Sequence, residues 1–157
     1  MNNMFRSTSS FNQPLESWDV AKVEFMESMF EGSQAFNQPL DGWDVGNVGD
    51  MEQMFSNAKV FNQPLNNWDV IKVTTMEQMF QGAIAFNGDI GNWEVDNVTN
   101  MAGFMNGAES FNKPLDSWNV GMVTNMSSMF RGADAFNQPL NSWDVSCLLY
   151  TSPSPRD

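Results

Sequence analysis

The chain is 157 residues long and carries a formal charge of −12, from 19 Asp and Glu against seven Lys and Arg, with no His. A surface of that sign repels phosphate backbones, whose binding rests on Lys and Arg displacing counterions. DNA, RNA and anionic membrane surfaces are therefore poor partners, and cations or basic proteins better ones. Hydrophobic residues make up 41% of the chain, with six Trp and 13 Phe, which suffices for a continuous core and argues against disorder despite 11 Gly.

In chain order, the first residues already belong to a repeat. Met1 falls in register with Met26, Met51, Met76, Met101 and Met126, so the chain opens mid-repeat and is expected to be cut from a longer protein. Phe-Asn-x-Pro-Leu then opens at Phe11, Phe36, Phe61, Phe111 and Phe136, with a divergent copy, Phe-Asn-Gly-Asp-Ile, at Phe86. Trp18, Trp43, Trp68, Trp93, Trp118 and Trp143 keep the same period of 25 residues, without insertion or deletion. Such a period marks stacked units, none of which buries its apolar face until a neighbour covers it. Residues 1–146 are read as one solenoid of about six repeats, truncated at both ends.

One unit, residues 111–135, shows the predicted elements. Leu115, Trp118 and Val120 have the spacing L-x-x-W-x-V, and alternation predicts a short strand with Trp118 and Val120 inward and Asn119 outward. Past Val123 the period changes. Met126, Met129 and Phe130 at i, i+3 and i+4 predict a helix of about two turns, N-capped by Thr124 or Asn125. A left-handed C-cap is expected at Gly132, a place also held by Gly32, Gly82 and Gly107. Pro in the Phe-Asn-x-Pro-Leu segment turns the chain back, and the column Asn12, Asn37, Asn62, Asn87, Asn112 and Asn137 is expected to bond turn backbone.

The predicted fold class is an α/β repeat solenoid, a leucine-rich-repeat-like stack in which each coil gives one short parallel β-strand and one short helix. A parallel β-helix without the helical segment is the alternative. The unit at 86–110 departs most, with Asp89 for Pro, Ile90 for Leu, Glu94 for Asp and Phe104-Met105 for Met-Phe; a looser turn is expected near Gly88.

The pattern stops after Ser146. Residues 147–157 hold the only Cys and the only Tyr and resemble a translated sequencing adapter, so this tail is expected to be non-native and is set aside. The repeats themselves lack Cys, which removes disulfides and thiol metal sites from consideration. No apolar run of about 18 residues and no signal-peptide core occurs, so this fragment is not expected to insert into a membrane.

W-D-V-x-x-V followed by M-x-x-M-F-x-x-A and F-N-Q-P-L resembles the repeat of BspA-like leucine-rich-repeat surface proteins, also known as a mycoplasma-type lipoprotein repeat of unknown function. The resemblance covers residues 1–146. It implies a non-enzymatic, extracellular or surface-displayed protein used in adhesion or protein binding, although fold alone does not give function.

The best candidate surface is the outward column beside the Trp residues: Asp19, Asp44, Asp69, Glu94, Asn119 and Asp144. Adjacent strands would set these about 4.8 Å apart, a like-charged ladder suited to a cation or basic ligand. A structural or merely solvated ladder is the competing reading. No cofactor is expected. Calcium coordination is the lesser reading, since the Gly-Gly-x-Gly-x-Asp run of calcium-binding repeats is absent. No catalytic residues are assigned: the repeats lack His and Cys, phosphate-loop and Gly-x-Ser-x-Gly motifs are missing, and a regular ladder offers no unique cleft. The expected function is adhesion, or protein or glycan binding, through the sheet face of a secreted or cell-surface repeat protein; the alternative is a structural spacer with no ligand of its own.

Overall fold

A computed structural model describes residues 1–148; the expected adapter-derived tail lies outside the described residues from 149 onward. The units do stack in register, but not as strand plus helix. Among the described residues there is no helix, and pairing is limited to single-residue parallel bridges running Phe25 to Asp50, Thr75, Asn100 and Asn125. The α/β assignment is therefore overturned, and so is the parallel β-helix alternative, which also requires paired strands. No helix of the described residues is long and apolar enough to cross a membrane.

A chain of turns replaces the helix. In the unit at 51–58, Met54, Ser56 and Ala58 donate their N–H groups back three residues to Met51, Gln53 and Phe55, at 3.0–3.2 Å. The alternate donors, Met51, Gln53, Phe55 and Asn57, reach instead to the carbonyls of Thr75, Glu77, Met79 and Gln81 in the next coil, at 2.6–3.2 Å. Glu52 N–H completes the set by donating to Asp50 Oδ1 at 2.8 Å. Every backbone donor of the segment thus has a partner, as buried backbone demands.

The turns 51–54 and 55–58 have Gln53 and Asn57 as third residues, with φ of 55° and 57°, the mark of a type II turn. The same turns account for the glycines at the expected helix ends. Gly32, Gly82, Gly107 and Gly132 are left-handed, with φ from 65° to 73°, but they serve type II turns rather than helix ends.

Coil spacing gives the physical reason for the missing helix. Phe30, Phe55 and Phe80, in the segment predicted helical, repeat at a ring separation of 5.5 Å. Packed helices need about 8–10 Å between axes. The Met-x-x-Met-Phe spacing is met equally by consecutive turns, which leave alternate N–H groups free to join neighbouring coils. The Trp-x-Val segment is likewise no strand: Trp43 N–H closes a turn on Leu40 and Val48 N–H one on Val45, leaving residues 43–45 as a short extended link.

The core consists of columns. Phe36, Phe61, Phe86, Phe111 and Phe136 stack at 5.9–6.0 Å with rings within 7° of parallel. Trp68, Trp93, Trp118 and Trp143 stack at 6.2–6.4 Å. Each Trp from 43 onward also donates its indole N–H to the carbonyl at the Leu position of the preceding coil, as Trp68 does to Leu40 at 2.8 Å. Full burial of such side chains contributes about 1.5–3 kcal/mol each, and the indole bond removes the cost of burying a polar N–H.

On the return turn the Asn column bonds backbone as expected. The N–H groups of Asn37, Asn62, Asn87, Asn112 and Asn137 each donate to Oδ1 of the Asn one coil earlier, at 2.8–3.0 Å.

The divergent coil corrects one further expectation. Its turn near Gly88 is closer to its neighbour, not looser. Leu65 N–H donates to the Asp89 carbonyl at 3.2 Å, and a Cβ on Gly88 would stand 2.3 Å from the Gln63 carbonyl oxygen. With Gly88 where the other coils carry Gln or Lys, and Asp89 where they carry Pro, the backbone can move in.

Candidate functional site

The six predicted site residues, Asp19, Asp44, Asp69, Glu94, Asn119 and Asp144, are all exposed. Each follows the Trp of its coil, buried at Trp43, Trp68, Trp93 and Trp118 and more open in the terminal coils at Trp18 and Trp143, so one short link sets the ring inward and the acid outward in the central coils. No sheet supports them, and strand spacing does not set their separation. The local turn does. Oδ1 of Asp19, Asp44, Asp69, Asn119 and Asp144 accepts the backbone N–H two residues on, at 3.0–3.3 Å. This Asx turn starts the 45–48 type of bend and accounts for Asp or Asn at those positions. At Asp144 the Ser146 N–H, helped by the Ser146 side chain, holds the carboxyl below its usual value.

Neighbouring members of the column converge. Asp44 Oδ1 and Asp69 Oδ2 both lie close over Gly46, at 3.3 and 3.4 Å from where a Cβ would stand. Among the described residues the one ion pair is Arg6 with Glu31, at 2.9 Å, so no described Lys or Arg pairs with a carboxylate of the column. No group of three or more His, Cys, Asp or Glu among the described residues is placed to hold a metal ion.

Glu94 differs from the other five. One methylene longer than Asp, it accepts no backbone N–H among the described residues. It borders a groove of about 280 Å³ between residues 67–71 of one coil and Asn92 and Glu94 of the next. Asn67 is held by Asp41, whose Oδ1 takes the Asn67 N–H at 3.0 Å and whose Oδ2 takes its side-chain amide. Asn92 is held by its N–H bond to Asn66 Oδ1, also 3.0 Å. The groove thus offers amides and carboxylates; Trp68 also borders it, but is only 3% exposed, with its ring stacked on Trp93. Such a surface can hydrogen-bond hydroxyls or receive an amine; it has no nucleophile and no oxyanion cradle.

Sequence reasoning marked Glu94 as a departure but missed the groove, which requires the facing Asn67 and Asn92 to be placed. It also missed a second acidic column, Glu27, Glu52 and Glu77, whose signal was the same residue recurring at the repeat period.

No curated protein and no solved structure matches the chain. A family model described as "Mycoplasma protein of unknown function, DUF285" matches residues 1–76 and 59–152, nearly the whole length. By that coverage and by its stacked repeat, the chain belongs to this mycoplasma-type repeat family.

Proposed function

We propose that the chain is part of a secreted or cell-surface repeat protein of the BspA-like kind, without enzymatic activity, that binds a protein or glycan along its exposed acidic column. The groove at Glu94 is the primary contact. The observation that carries this reading is Glu94, whose carboxylate accepts no hydrogen bond among the described residues and which borders a groove also lined by Asn67 and Asn92. Amides and carboxylates suit sugar hydroxyls or a basic side chain, and a column with no described cation paired to it favours the latter electrostatically. Probing glycan and peptide arrays with the whole chain and with its Glu94→Gln and Asp69→Asn variants tests it. Binding that weakens in both variants supports the reading; a bound ligand indifferent to both sinks it.

The spacer alternative has its own support. The Asx turns supply a structural role for Asp19, Asp44, Asp69, Asn119 and Asp144 that needs no ligand. Arrays silent throughout would favour that reading.

A further inference from the structure

Glu27, Glu52 and Glu77 occupy the second position of the turns 26–29, 51–54 and 76–79, one per coil and each half-buried. Backbone bonds lock their register: Ser28 N–H donates to the Glu52 carbonyl at 2.8 Å, and Gln53 N–H to the Glu77 carbonyl at 2.9 Å. The carboxylates therefore cannot slide apart without breaking the coil-to-coil ladder.

The ends and the middle of this column are treated differently. Asn2 donates its amide to Glu27 Oε2 at 3.1 Å, and Asn100 donates to Glu77 Oε2 at 2.7 Å. The Glu52 carboxylate receives neither an amide nor a cation among the described residues. The like charges that act on it are Glu77 of the following coil, Asp50 of its own and Glu27 of the preceding one, which the backbone register keeps alongside it. Asp50 Oδ1 is itself committed to the Glu52 backbone N–H. Burial and then these three like charges favour the neutral form of Glu52 and hold its carboxyl above the ordinary value of 4.5.

We propose that Glu52 is the proton-binding centre of a pH-sensitive clasp, in which uptake of one proton as pH falls relieves the repulsion among Glu27, Glu52, Glu77 and Asp50 and tightens the central coils. A carboxyl raised in the folded chain gives stability that is complete below its unfolded value and is lost as pH rises through the folded one. The window thus opens above 4.5.

Thermal unfolding of the whole chain between about pH 7.5 and 5, beside Glu52→Gln and Asp134→Asn, tests the clasp. Asp134→Asn removes the same charge from an exposed acid that does not act on Glu52. At neutral pH Glu52→Gln should melt about 2–4 °C above the parent and lose part of its rise on acidification, while Asp134→Asn tracks the parent. An undiminished rise in Glu52→Gln, or an equal effect of Asp134→Asn, overturns the proposal. Should Glu52→Gln not fold, carboxyl NMR titration of the parent decides: the Glu52 midpoint must lie above that of the same residue in the urea-unfolded chain, and a midpoint at or below it refutes the clasp.

Discussion

The coils on either side of residue 86 use the same core differently. From Phe5 to Phe80, one Phe per coil continues a column, Phe5, Phe30, Phe55 and Phe80, with near-parallel rings at 5.4–5.5 Å. In the divergent coil Met105 takes that place, and Phe104 beside it meets Phe80 edge-on at 88° and Trp118 at 64°. Yet the Trp column, the Asn ladder and the Phe86 column cross this coil without interruption. Register resides in several parallel columns, so one can be broken while the others hold the stack. The same coil carries the free Glu94 carboxylate, so departure from the repeat and the candidate site coincide.

The strongest way to break the comparison is Phe55→Ala. Phe55 is fully buried and stacked on Phe30, Phe61 and Phe80, so its loss should cost about 3–5 kcal/mol in urea unfolding. Gly88→Ala should cost about 1–3 kcal/mol, because its Cβ would meet backbone; an unchanged midpoint would show that this turn is not held against Gln63. Met105→Phe alone should overpack beside Phe104 by a similar amount of about 1–3 kcal/mol, whereas exchanging both residues to the common Met-Phe order should cost less than about 1.5 kcal/mol. A double exchange worse than the single would mean the divergent coil has its own packing, not an interrupted version of the common one.

A subtler contrast lies in the Asn ladder. Asn37 accepts the Asn62 N–H and also Gln63 Nε2 on Oδ1 and on its carbonyl, while among the described residues Asn62 accepts the Asn87 N–H alone, because Gly88 has no side-chain amide. Asn37→Ala should therefore exceed Asn62→Ala by about 1 kcal/mol in the same unfolding measurement. The smallest effect is expected at Asp144. Its carboxyl is held low by Ser146, so its contribution is present above the unfolded value and lost as pH falls through the folded one, opposite in sign to Glu52. Comparing Asp144→Asn with the parent down to acid pH should show the parent losing slightly more stability.

Much of the core was legible from residue identity. Phe36, Leu40, Trp43, Val45, Met51, Met54 and Phe55 are all buried, and they are the residues whose recurrence defines the unit. The exposure of Asp44 and Asp69 between inward Trp and Val was also readable, because an extended link alternates whether or not it pairs. The helix was not, because apolar residues at i, i+3 and i+4 fit both a helix and successive turns. At the candidate site, the acids were named by sequence, but their Asx turns and the groove at Glu94 required the neighbouring coil.

Sequence by itself determined the period, the inward set and the sign of the surface, since each follows from side-chain type and spacing. Only the tertiary structure decided the backbone. Whether an N–H finds its carbonyl within its own segment or one coil away depends on how closely the coils approach, and ring columns at 5.5 Å leave room for turns but not for helices.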